Sequence, residues 1–287
     1  MYRLILILIF TTIVGSFSWI VQEIYFTTLV LGTGIPHIIL GAKYSKRGLQ
    51  NAFNNYWNKI LILLFLPLSL ILGFRFGAVG LIFYFAVHHA ISETYSHKSL
   101  FQNNGLFNLA YGTLVGSSFL IACRNDFIEY NFLFFWCYLL FFASAVTLII
   151  FIKKHYFKID SVKELLQTHP WLLGAPALCI LTIFNPISWL VIILYHYVFW
   201  GFLPLFRSDM FQGDKSKLKT FWKDAIKWNG LGIIGIGLLV FISIKQIDFR
   251  LFQLILLAFY IANYWHISVS FVISGANPQF VRRLFVR

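Results

Sequence analysis

Eight histidines, together with ten acidic residues, supply most of the side chains in this chain that could hold a metal or move a proton. Six of the histidines, His37, His88, His89, His97, His196 and His266, fall on or just past four apolar stretches, whereas His155 and His169 lie in a polar connection at 153–170. Ionisable groups within an apolar span are costly and mark function by default. A single buried histidine is ordinarily a packed, hydrogen-bonded residue, but four stretches each delivering one points to a shared polar site. Imidazole ligation without thiolate suits iron, copper or zinc, and imidazole with carboxylate and open positions suits non-haem Fe(II) and O2 chemistry. Zinc hydrolysis is less supported, because no HExxH is present. Haem held by two histidines would use only two of the four stretches.

The densest motif is His88-His89-Ala90-Ile91-Ser92-Glu93-Thr94-Tyr95-Ser96-His97. His89, Glu93 and His97 stand at i, i+4 and i+8, one stripe of a helix, and His88 lies about 100° round from His89. Either His88 faces the site while Glu93 orients a neighbouring imidazole, or the His89–Glu93–His97 stripe supplies ligands directly. Metal-bound imidazoles usually donate their second N–H to a carboxylate or carbonyl, so Glu93 fits both roles. Elsewhere, Gly32-Thr33-Gly34-Ile35-Pro36-His37 sets a helix-bending proline beside a histidine. Leu194-Tyr195-His196-Tyr197-Val198-Phe199-Trp200 and Asn263-Tyr264-Trp265-His266 set two more among aromatics that pack or line a cavity for a flat apolar substrate.

The elements that must position these groups are membrane spans. The chain has 287 residues, 59% hydrophobic, 20% aromatic and 11% charged, with a mean hydropathy of +0.78. A soluble domain carries about 25% charged residues, so a soluble enzyme, a disordered tail and a disulfide scaffold are excluded. Cys123, Cys137 and Cys179 form no CxxC pair and read as apolar fillers. A span needs about 20 mostly apolar residues. Cutting at charged and Pro/Gly-rich points gives about ten: 4–20, 24–42, 58–74, 76–94, 106–123, 128–152, 171–185, 187–206, 229–246 and 249–273. The first lacks a clear signal-peptide cleavage site and reads as a span.

Basic residues orient the spans. Of 23 Lys and Arg, all but Arg75, Arg124, Lys245 and Arg250 fall at the N-terminus or in connections after even-numbered spans, with their flanks; the C-terminal Arg282, Arg283 and Arg287 are among them. Such a bias predicts both termini on the cytoplasmic side. The net charge of +13 then reports topology and calls for no nucleic-acid partner. The histidine-bearing spans are all even-numbered, and their histidines lie at or past the span midpoint, in a slab from the midplane toward the cytoplasm. Leu218–Trp228 reads as an interfacial helix or a solvated loop. The expectation is an all-α polytopic membrane protein, one transmembrane domain over 1–287, with Glu93 the one acid on a core span.

Several of these motifs resemble the Brp/Blh family of bacterial and archaeal membrane β-carotene dioxygenases. Gly34-Ile35-Pro36-His37 is similar to the family's early Pro-His motif, and His88 followed by Glu93 to its second histidine with a downstream acid. Leu109-Ala110-Tyr111-Gly112, Leu194-Tyr195-His196 and Trp265-His266 resemble later motifs. The chain departs from the pattern where Ile38-Ile39-Leu40-Gly41 follows His37, and where Trp200 stands four residues after His196 in place of a further histidine. The resemblance implies a non-haem Fe(II) site that uses O2 to cleave a carotenoid or related lipophilic polyene to retinal-like aldehydes, in a bacterial cytoplasmic membrane. It implies His37, His88, His196 and His266 as ligands, with Glu93 beside them in a supporting catalytic role and His89 or His97 as possible replacements.

Two other readings compete. A lipid desaturase or hydroxylase would carry more HxxxH and HxxHH clusters than the single His88-His89 pair. A metal-free carrier would use the histidines and Glu93 as a proton relay, but would favour internal repeats, and none is visible.

Overall fold

The computed structural model describes residues 2–16, 19–44, 46–95, 104–125, 131–155, 159–206, 214–246 and 249–273. Among these residues the protein is all-helical, without a strand. The helices are α1 (Tyr2–Ser16), α2 (Trp19–Tyr44), α3 (Lys46–Asn54), α4 (Tyr56–Tyr95), α5 (Gly105–Ala122), α6 (Asn131–His155), α7 (Ile159–Thr168), α8 (Trp171–Phe184), α9 (Leu190–Phe206), α10 (Lys215–Gln246) and α11 (Phe249–Ile273). His97, Arg282, Arg283 and Arg287 lie outside the described residues.

Among the described residues, five stretches are long and apolar enough to cross a membrane: Tyr56–Thr94, Gly105–Ala122, Phe132–His155, Lys215–Ile242 and Gln253–Ile273. Shorter apolar helices lie at Arg3–Ile13, Trp171–Phe184 and Leu190–Gly201. Large apolar side chains are exposed along them, among them Leu63 and Leu64 on α4, Phe135 and Phe142 on α6, and Phe184 on α8. Facing water, so much contiguous apolar surface would drive aggregation; facing lipid, it is the outer surface of an integral membrane protein.

The chain divides into two compact units. The first gathers α1 with the chain from Ile82 to Ile192. Its centre is α5, packed against α6 and α8 and buried at Phe107, Tyr111, Leu114, Val115 and Phe119. Asn104 starts α5 by accepting the Phe107 N–H on its side-chain oxygen. Two buried serines are tolerated in this apolar helix because their hydroxyls donate to helix carbonyls, Ser117 to Thr113 and Ser118 to Val115.

The second unit gathers α2, α3, the chain through Leu81, and the chain from Ile193 to α11. Its closest pairing is α2 with α10. A Cβ built on Gly32 would lie 2.8 Å from the Ile233 Cα, and one on Gly232 would strike the Gly32 carbonyl oxygen and lie 2.7 Å from Pro36 Cγ. Pro36 has no N–H for that carbonyl four residues back, and Gly232 lets the α10 backbone come up to it. Small residues at both positions are what allow two apolar helices such contact. α2 stays helical through Pro36 and α4 through Pro67. The break in α4 falls at Gly77, at φ 49°, ψ −128°, a region open essentially to glycine alone. Tyr264 on α11 donates its hydroxyl to the Gly77 carbonyl at 3.2 Å.

Candidate functional site

Three of the four expected ligands meet in the second unit. α2 carries His37 directly after Pro36, α9 carries His196 and α11 carries His266. The His37 ring centroid is 5.4 Å from that of His196 and 5.2 Å from that of His266, both in edge-to-face arrangement. His37 is thus the middle member. The position of His266 depends on α2 having no side chain one turn beyond His37: a Cβ on Gly41 would lie 3.1 Å from His266 Cε1. Gly34, one turn before His37, leaves room in the same way for the Phe259 ring and the Tyr197 hydroxyl, 2.8 and 3.0 Å from a built Cβ. Tyr197 lies 5.0 Å from His37 between ring centroids, and Trp200 6.2 Å from His196. His196 is 2% exposed, while His37 and His266 are half-buried.

The donor set fits a metal of the iron, copper or zinc group. Imidazoles on one ion hold their nitrogens about 2.0–2.1 Å from it, which puts neighbouring ring centroids roughly 4.5–5.3 Å apart at angles of about 90–110°. The His37–His266 separation of 5.2 Å lies at the upper edge of that range, and the His37–His196 separation of 5.4 Å lies just beyond it. Among the described residues no group of three His, Cys, Asp or Glu side chains is placed to hold an ion.

His88 and Glu93 belong to the first unit. His88 is half-buried with its ring 6.4 Å from that of Phe85. His89, 0% exposed, stacks on Phe85 at 5.8 Å and meets the Trp171 ring edge-on at 5.7 Å, a packing role. Glu93 is taken by Arg3 in a buried ion pair whose side chains are 2% and 3% exposed. Arg3 also donates to the Thr168 carbonyl at 2.6 Å. α1 is therefore tied through one guanidinium to α4 and to the end of α7.

Beside it sits His169, buried with its ring edge-to-face to Phe107 at 5.0 Å and Tyr111 at 4.7 Å. Neither ring nitrogen has a hydrogen-bond partner among the described residues. Burial, and secondly the nearby Arg3 guanidinium, push its pKa down to about 3. The Tyr111 hydroxyl accepts the Trp171 backbone N–H at 3.3 Å. Sequence reasoning passed over Arg3, His169 and Tyr197. Arg3 read as a topological charge and His169 as a loop residue, and Tyr197 carried no signal beyond being next to His196.

Comparison of the chain with protein-family models, curated proteins and solved structures finds no match. The fold and these contacts define the class alone: an all-helical integral membrane protein with a cluster of three imidazoles drawn from three helices.

Proposed function

We propose that the protein is a membrane-embedded non-haem iron oxygenase that cleaves a lipophilic polyene with O2 to give retinal-like aldehydes. The observation that carries the reading is the meeting of His37, His196 and His266, from α2, α9 and α11, at 5.2 and 5.4 Å from the central ring. In the same reading the chain crosses a bacterial cytoplasmic membrane ten times with both termini inside, α4 counting as two spans on either side of Gly77.

His37, His196 and His266 would hold Fe(II) as neutral imidazoles, through one nitrogen each. Fe(II) held there would supply O2 activation, and the overall reaction would turn one C=C bond and one O2 into two C=O groups. Three imidazoles leave positions open for substrate and O2. Tyr197, Trp200 and Phe259 supply flat aromatic walls against which a polyene can lie. A fourth imidazole at position 200 is absent; Trp200 adds wall where the resembled family has a ligand. The proposal is confined to the second unit's histidines, and His88→Ala is expected to leave the aldehyde yield unchanged.

The test is product formation. Purified protein loaded with Fe(II) and supplied with β-carotene and O2 is expected to yield retinal-like aldehydes by chromatography, and His37→Ala and His196→Ala are expected to abolish them. Turnover that persists in both variants would overturn the assignment.

A further inference from the structure

α10 has 32 residues, about 48 Å at 1.5 Å per residue, against about 30 Å of hydrocarbon. Its apolar run begins after Trp228, so the excess of roughly a dozen residues lies at the N-terminal end. That half is continuous helix, not a separate surface segment. It is anchored on one side. Phe221 and Ala225 pack on Leu40 with Tyr44 and Trp228 around them, and Asp224 accepts hydrogen bonds from Lys43 and Tyr44, both at 2.5 Å.

The opposite side is basic. Lys215, Lys219, Lys223 and Lys227 repeat at i, i+4, i+8 and i+12, all exposed, which places them on one stripe. Both acids of this stretch are engaged elsewhere: Asp224 as described, and Asp214 by the Ser216 and Lys217 backbone N–H groups and the Lys217 ammonium at 3.2 Å. Further along, the same face turns apolar at Ile234, Leu238 and Phe241, exposed by 62%, 57% and 60%. A face that passes from a lysine ladder to exposed aliphatic and aromatic side chains matches the order of a lipid leaflet, phosphates first and acyl chains next.

We infer that this outer face of α10 is a binding surface for anionic phospholipid headgroups. The partner follows from charge complementarity and from the apolar stripe that continues the ladder: among the described residues Lys215, Lys219 and Lys223 have no acid paired with them, and Lys227, whose ammonium lies 5.8 Å over the Trp228 ring, shares Asp224 with Lys43. The surface stands apart from the iron reading and survives its failure.

The test uses the full chain in phosphatidylcholine vesicles carrying spin-labelled phosphatidylglycerol or spin-labelled phosphatidylcholine, with the motionally restricted lipid measured by electron paramagnetic resonance. Phosphatidylglycerol is expected to be preferred by roughly five-fold or more, less so at high salt. The variant K215Q/K219Q/K223Q/K227Q is expected to fall toward parity, and the matching Lys→Arg variant to keep the preference. Because all four residues are exposed, helicity by circular dichroism is expected to stay unchanged. The inference is overturned if the wild type shows no preference or the Gln variant keeps it. It is overturned equally if K59Q/K153Q/K154Q/K163Q loses as much, which would make net charge the cause, or if inorganic phosphate at matched ionic strength abolishes the preference.

Discussion

Arg3 and Glu93 illustrate how one buried ion pair can decide whether a helix stays docked. Each side chain is nearly inaccessible, so removing one partner leaves an uncompensated charge away from water, at a cost of about 3–5 kcal/mol. Arg3→Met and Glu93→Gln are each expected to lower the detergent-solubilised melting temperature strongly, and the double variant to recover part of the loss; thermal scanning of the three proteins checks this. His169, just after α7, gives a pH signature. Its folded pKa of about 3 lies below the ordinary 6.5, so between those values the unfolded chain binds the proton and the folded chain does not. Stability is therefore expected to fall as pH drops from about 6.5 toward 3, and His169→Phe to flatten that part of the profile. At this scale the histidines drew notice because four apolar stretches each carry one, although a single such imidazole is ordinarily a packed residue, as His89 is. The partner of Glu93 was not, because an arginine at the N-terminus already had a topological reason to be there. Gly41 was equally silent: its role is a missing side chain against His266, and only the packed structure reveals it.

At the scale of elements, Gly77 separates conformation from packing. A Cβ there meets nothing within 4 Å, yet its backbone sits at positive φ. Gly77→Ala is expected to destabilise by about 1–3 kcal/mol through backbone strain alone, while Gly105→Ala, equally open but at ordinary φ, is expected to be near neutral; denaturant titration of both distinguishes the two. The division of 58–94 near Gly73–Gly77 was readable because glycines interrupt an apolar run there. The short helices α3 and α7 were missed, since polar connections with few apolar residues read as loops until tertiary contacts select helix. The stretch Leu218–Trp228 was read as an interfacial helix or a loop. It instead continues unbroken into the apolar half of α10, because nothing between Trp228 and Asn229 stops a helix and Phe221 and Ala225 give it a surface to pack on.

At the scale of the molecule, apolar composition settled the helical class and left the internal division of the chain unseen. The expectation was one transmembrane domain over 1–287; within the chain two compact units are distinguished. No periodicity marks that division, since the units exchange chain within α4 and α9. The three-imidazole cluster lies within one unit and the Arg3–Glu93 pair within the other. The most direct measurement is elemental analysis of the purified protein and of its His37→Ala, His196→Ala and His266→Ala variants. The account predicts about one iron per chain in the wild type and its loss in each variant. A wild type free of transition metal after iron-replete expression, with variants of unchanged stability, would contradict it and favour a metal-free carrier.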